Sequence, residues 1–236
     1  MKKSFGMRGV LVLAALWIGS TLSLRAATIF DNTQNDLKVR FNPGTYQVGD
    51  QILLSGTDRY LINFSFEFWG TNTASPGNTT FAGAVQADVR FYLNDGPLFN
   101  GYATPGTLFY DSGFFNVVNP TPRSTFVFTP GNLPGDLPLG GLYIPSSEMT
   151  WSVQFRGMGG TDSIGLDIYN PPTVGSDYPD YWQNTGTGWT LMQNGIAPTM
   201  NFAAQMQATV PEPSALALLA GGLGILVMAR RLRRTS

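Results

Sequence analysis

The chain has 236 residues and a formal net charge of −1, and it contains neither cysteine nor histidine. The missing cysteine excludes disulfides and thiolate nucleophiles, and the missing histidine excludes serine-histidine-aspartate triads and most zinc sites. The length allows one domain of ordinary to large size with additional segments at the termini.

The N-terminal segment has the pattern of a secretory signal peptide. A basic start is followed by an apolar run over residues 10–18 and by small residues at Ala26 and Ala27. We expect cleavage near these two residues, so that residues 1–27 form a signal peptide with a signal helix, handled by the Sec machinery and signal peptidase. The alternative is an uncleaved anchor, although the run is shorter than the roughly 20 residues of a membrane span.

Residues 28–209 show the period-two alternation of half-buried antiparallel strands. Such runs lie at residues 62–68, 85–93, 149–155, 164–168 and 200–206, with shorter candidates at 37–41, 51–54, 108–115 and 124–129. In the first run, Ile62, Phe64, Phe66 and Phe68 are predicted to share one face. Asn94-Asp95-Gly96 is a candidate hairpin turn.

These runs predict about nine strands and a single all-β domain over residues 28–209. The predicted fold is a two-sheet antiparallel sandwich of the jelly-roll type. A signal helix lies outside it at the N-terminus, and a short transmembrane helix lies outside it at the C-terminus.

The C-terminal segment, residues 210–236, has three parts. They are Pro211, Glu212 and Pro213, then an uncharged apolar run over residues 215–229, then Arg230, Arg231, Arg233 and Arg234. A helix of 15 residues is about 22 Å long, which is short of the ~30 Å hydrocarbon core. The arginines are expected to stop transfer and stay cytoplasmic, which places the upstream chain outside.

This three-part tail resembles the PEP-CTERM protein-sorting signal of exported proteins from Gram-negative bacteria that make exopolysaccharide. The resemblance implies that exosortase, a membrane protease similar to a transpeptidase, recognises and removes the tail. Pro211 and Pro213 keep the segment extended, as protease substrates usually are. The implied route passes through the inner membrane to the cell surface or the extracellular space. A permanent tail anchor is the alternative.

Parts of residues 28–209 also resemble an ectodomain that recurs in PEP-CTERM proteins of Verrucomicrobia-like bacteria. The similar segments are residues 48–52, 56–59, 89–96, 110–112 and 171–175. The resemblance implies a common sandwich fold and assigns no catalytic residue.

The charges of residues 28–209 narrow the class of function. This range holds six basic and fourteen acidic side chains, which disfavours binding to nucleic acid. A glycoside hydrolase needs two paired carboxylates, one with a raised pKa. Among fourteen acidic side chains some close pair is inevitable, so their number alone is weak support for a glycoside hydrolase.

Two groups of residues are candidate binding sites. Calcium ligands could come from Asp162 with Asp167, or from Asp177 with Asp180, joined by carbonyls of glycine-rich loops. Solvated loop carboxylates are the alternative explanation. A loop with Tyr178, Tyr181, Trp182 and Trp189 beside short polar groups could bind a glycan, since sugar rings stack on aromatic faces. The alternative is that Trp182 and Trp189 fill one end of the core.

The sequence therefore favours a non-enzymatic protein of the cell surface or extracellular matrix, sorted through its tail. A module that binds envelope polysaccharide is the alternative, and a glycoside hydrolase is less favoured. No cofactor is expected, and calcium is the one candidate ion.

Overall fold

The computed structural model describes residues 26–74, 79–193 and 200–209. The predicted sorting tail and all of the predicted signal peptide except Ala26 and Ala27 lie outside these residues, and the predicted domain boundaries stay predictions. Over the described part of the chain, no helix is long and apolar enough to cross a membrane.

The described residues form seventeen strands and no helices. The strands are β1 (Ala27–Asp31), β2 (Asp36–Phe41), β3 (Gln47–Leu53), β4 (Tyr60–Asn72), β5 (Gln86–Tyr92), β6 (Leu98–Phe99), β7 (Tyr102–Ala103), β8 (Leu108–Asp111), β9 (Phe115–Asn116), β10 (Ser124–Phe128), β11 (Leu142–Tyr143), β12 (Glu148–Arg156), β13 (Asp162–Tyr169), β14 (Ser176–Asp177), β15 (Asp180–Asn184), β16 (Trp189–Gln193) and β17 (Ala204–Thr209).

Two large antiparallel sheets pack face to face. Sheet A has the order β1-β17-β4-β13-β2, with β10 and β11 also bonded to β4. Sheet B has the order β16-β15-β3-β12-β5-β8, with β14 bonded to β3 and β9 bonded to β5. The predicted all-β, two-sheet antiparallel sandwich is therefore confirmed.

Strand β4 organises sheet A. One side of it bonds to β17 over Tyr60–Phe66 and to β13 over Phe68–Asn72, and the other side bonds to β10 and β11. Its inward aromatic rings reach sheet B, where the Phe64 ring centroid lies 4.9 Å from that of Phe91 and 5.4 Å from that of Trp151. The core is therefore a layer of interlocking aromatic rings.

The prediction that Ile62 shares the inward face of β4 is wrong. The register between β4 and β17 shifts beside Ile62, since Asn63 pairs with Gln207 but Leu61 pairs with Ala208. This bulge inserts one extra residue and reverses which side chains point inward. Leu61 is therefore fully buried, whereas Ile62 is only partly buried.

Two connections also differ from the sequence prediction. The residues around Asn94-Asp95-Gly96 continue the ladder instead of turning, because the N–H of Gly96 donates to the carbonyl of Thr104. The hairpin turn comes later, at Asn100-Gly101, where both residues have positive φ. The segment from Tyr178 to Trp189, predicted as a loop, instead contributes strand β15 and the start of β16, which pair as a hairpin.

The close approach of β2 to β13 generates a first prediction. A Cβ on Gly165 would lie 1.9 Å from the backbone oxygen of Phe41, so we expect Gly165→Ala to lower the free energy of unfolding by about 1–3 kcal/mol. Gly160→Ala is the matched control, since its Cβ would meet no atom within 4 Å. Urea denaturation of the purified protein measures both, and equal effects of the two variants would contradict this packing.

Candidate functional site

The aromatic candidates for glycan binding lie at one edge of sheet B, on β15, β16 and the residues just before β15. Trp182 of β15 pairs with Gly49 of β3, whereas Asp177 of β14 pairs with Ile52. The chain therefore advances five positions from Asp177 to Trp182 while β3 covers only three, from Ile52 to Gly49. The two extra residues make the chain bulge beside Asp50 and Gln51.

Tyr181 and Trp182 are neighbours and point to opposite faces of sheet B. The Tyr181 ring lies in the core, with its centroid 5.1 Å from that of Phe41 and 5.9 Å from that of Phe202. Trp182 points to the outer face, where its Nε1 donates a hydrogen bond of 3.0 Å to Oε1 of Gln51. Its side chain is 0% exposed, so its ring offers no face to a sugar.

Tyr178 and Trp189 are the more accessible members of the group, and they lie at opposite ends of the hairpin. The Tyr178 hydroxyl donates to Oε1 of Glu148 at 3.2 Å, and this carboxylate also accepts from Gln51. The Trp189 ring meets Tyr92 edge-on, with 5.5 Å between centroids. The structure thus separates these four aromatics, and glycan binding stays a prediction.

Asp50 is a buried carboxyl that the sequence analysis did not single out. It lies on the inward face of β3, is 0% exposed, and accepts the backbone N–H of Phe202 at 2.9 Å through Oδ2. Its Oδ1 has no hydrogen-bond partner among the described residues. Burial, together with the charges of Asp177 and Asp180, raises the pKa of Asp50 well above its ordinary value.

Asp177 and Asp180, predicted as calcium ligands, therefore lie near a third acid. Burial raises the pKa of Asp177 to about 7 and also raises the pKa of Asp180. Within residues 26–74, 79–193 and 200–209, no three acidic, histidine or cysteine side chains are arranged to hold a metal. Calcium binding by this pair stays a prediction.

Asp162 and Asp167, the other predicted calcium pair, serve different parts of the fold. Asp162 accepts three backbone N–H groups, from Ala82, Gly83 and Gly159, each at 2.8 Å. These bonds lower its pKa, although burial acts in the opposite direction. Asp167 is almost fully buried on the outer face of sheet A. The two lie five positions apart on β13, an odd offset that puts their side chains on opposite faces of the sheet, so the structure does not bring them together.

The Asp167 carboxylate belongs to a cluster of charges that the sequence did not reveal. Its two oxygens lie 3.8 Å from Nε of Arg40 and 3.8 Å from Nε of Arg123. Arg123 also reaches Asp36 at 2.7 Å and Glu67 at 3.5 Å. These residues come from four separate strands or loops, and their opposite charges compensate one another.

The best match to an acid-base pair of carboxyls is Asp88 with Asp111. Burial raises the pKa of Asp88 to about 6, although Arg90 opposes the shift, and hydrogen bonds lower the pKa of Asp111 despite its partial burial. Both carboxylates bind Arg90, whose Nη2 lies 2.5 Å from Asp88 and whose Nε lies 2.9 Å from Asp111. Asp88 is nearly inaccessible, so this group is arranged to join β5 to β8.

The raised pKa of Asp177 sets a pH dependence of stability. Between its ordinary pKa near 4 and its folded value of about 7, the folded chain holds more protons than the unfolded chain. The free energy of unfolding should therefore fall as the pH rises from 4 to 7, and Asp177→Asn should make this fall smaller. Denaturation series at several pH values measure it.

Asp162→Asn is the control for that series. Because the Asp162 pKa is lowered, its contribution to stability is present above pH 4 and is lost below it. The control should destabilise the protein at neutral pH without changing the slope between pH 4 and 7. A slope that Asp177→Asn leaves unaltered would contradict the burial of this carboxyl.

Comparison with known proteins identifies the tail. The PEP-CTERM protein-sorting motif matches residues 209–234. No curated protein and no solved structure matches the chain. The match confirms the resemblance drawn from Pro211, Glu212 and Pro213. The chain thus carries the sorting signal of an exported protein of the cell envelope or surface that is processed by exosortase.

Proposed function

We propose that the sandwich is a non-enzymatic domain of the cell surface or extracellular matrix, released or transferred after its tail is processed. One observation carries this proposal. The last strand, β17, ends at Thr209, and the sorting motif begins at the same residue. A folded β-domain is therefore joined to the sorting signal with almost no intervening chain.

The use of the acidic side chains supports a role without catalysis. Asp95 accepts the N–H of Thr107 at 2.6 Å and its hydroxyl at 2.7 Å, which holds the extension of β5. Asp136 accepts the N–H of Leu133 at 2.8 Å, and Asp162 binds three backbone N–H groups. Carboxylates used in this way stabilise turns and ladders, as the proposal requires.

Processing near Pro211–Pro213 would leave the sandwich complete. Thr209 pairs with Tyr60, and no later residue takes part in a described strand. In our proposal the apolar run 215–229 enters the inner membrane, and Arg230–Arg234 hold it there until exosortase acts.

The processing step predicts the C-terminus of the mature protein. Mass spectrometry of the protein from its native host should find a terminus near Pro211–Pro213. Replacing both prolines by alanine should leave the tail attached, because the segment loses its fixed extended backbone. Pro134→Ala, in an exposed loop, is the control and should be processed normally. A mature protein that retains Arg230–Arg234 would contradict the proposal.

Polysaccharide binding is a second candidate, and the pair of Trp189 and Tyr92 favours it. The Tyr92 hydroxyl accepts a hydrogen bond of 3.0 Å from Nε2 of Gln47, and the same amide group donates to Ser152 at 2.8 Å. Partly exposed aromatic rings beside amide and hydroxyl groups suit the apolar faces and hydroxyls of a sugar.

This candidate predicts a loss of binding without a loss of fold. Trp189→Ala should weaken pull-down on envelope polysaccharide by about tenfold, as expected for about 1.4 kcal/mol of lost stacking. Tyr46→Ala, an exposed tyrosine before β3, is the control. Trp182→Ala is unsuitable, since emptying a fully buried site costs about 3–5 kcal/mol of stability. Equal retention of Trp189→Ala and the parent protein would argue against sugar binding here.

A further inference from the structure

The first strand of the sandwich starts, and the last strand stops, at the same end of sheet A. Ala27 of β1 lies opposite Ala208 of β17. Thr209 lies opposite Tyr60 of β4, which in turn lies opposite Tyr143 of β11. Four neighbouring strands of sheet A therefore reach one end of the sandwich, and we call this end, with these five residues, the exit pole.

The exit pole presents aromatic surface. The rings of Tyr60 and Tyr143 lie 5.2 Å apart between centroids, and Tyr143 is 53% exposed. Arg59 precedes Tyr60, and its guanidinium donates to the carbonyls of Asp58 and Gly56. Tyrosine and arginine side chains with apolar bodies and polar tips are typical of the boundary between membrane and water.

The length of the tail limits how far the exit pole can lie from a membrane. Only five residues, 210–214, separate Thr209 from the apolar run, and six Cα steps span at most about 20 Å. A 15-residue helix is ~22 Å long, about 8 Å less than the hydrocarbon core. If Arg230 stays at the far interface, residues 210–214 have to supply the missing 8 Å, so about 12 Å of their length remains outside the hydrocarbon core. The headgroup layer takes ~5–7 Å of that length.

We propose that the exit pole rests on the outer surface of the membrane while the tail is attached, with Tyr60 and Tyr143 in the headgroup layer. This inference rests on the proposed function, because it requires residues 215–229 to insert. Lipid is the occupant because the remaining tether is too short for a protein to lie between the pole and the bilayer. The position also brings Pro211–Pro213 to the membrane surface, where a membrane protease acts.

Charge at the same end of sheet B sets the lipid class and the tilt. Glu148 of β12 lies opposite Leu53, next to the loop that leads to Arg59. The carboxylates of Asp58 and Glu148 outnumber the one guanidinium of Arg59 at this end, so anionic headgroups are disfavoured and zwitterionic lipid is the better fit. The sandwich therefore leans on its sheet A side, where the two tyrosines lie.

The absence of cysteine permits a direct test on the full chain. Single variants Tyr143→Cys, Tyr46→Cys and Leu223→Cys carry a nitroxide label in vesicles of phosphatidylcholine and phosphatidylethanolamine. Tyr46 is the matched control, because it is 46% exposed and precedes Gln47 at the opposite end of sheet B. Leu223 lies in the apolar run. The readouts are accessibility to oxygen, which concentrates in lipid, and to a nickel chelate, which stays in water.

We expect the label at position 143 to be about threefold less accessible to the chelate than the label at position 46, and more accessible to oxygen. If the label at 223 is open to the chelate, the tail has not inserted, and the proposed membrane step fails. If it is embedded while 143 and 46 behave alike, only the contact of the exit pole is refuted. Shielding of 143 from both reagents would indicate a protein partner and would also overturn the proposal.

Discussion

The contact of the β4 aromatic rings with sheet B holds the molecule together. Phe64 meets Trp151 and Phe91, and Phe66 meets Trp151 again with 5.8 Å between centroids. The chain has no cysteine for disulfides, so burial of such rings, worth about 1.5–3 kcal/mol each, has to supply most of the stability. Every other strand of sheet A except β1 and β2 is positioned by bonding to β4 itself.

The fold class was predictable because the inward residues of the long strands alternate. Met149, Trp151, Val153 and Phe155 are all fully buried, as their spacing predicts. The bulge beside Ile62 was not predictable, since it depends on how β17 pairs with β4. Strand β3 was also only partly recognised, because Gly49, Asp50 and Gln51 interrupt its apolar pattern.

The candidate sites were less predictable than the fold, because they depend on contacts between distant parts of the chain. Asp50 bonds to Phe202, which lies 152 positions later. The Arg123 guanidinium contacts carboxylates from three different strands, and no local spacing in the sequence predicts such a cluster. The opposite orientations of Tyr181 and Trp182, however, follow from strand periodicity alone and could have been derived had residues 180–184 been recognised as a strand.

The position of β17 links folding to the order in which the chain is exported. Among the described residues, one side of β4 along Tyr60–Phe66 bonds only to this final strand. Export from the N-terminus therefore delivers fourteen of the fifteen strands of the two large sheets before this side of β4 is paired. Until then, the backbone groups of that edge have only water to bond. Because the sorting motif follows β17 directly, closure of sheet A and arrival of the motif coincide. Only a chain that has been exported in full can present a complete sandwich together with its sorting motif.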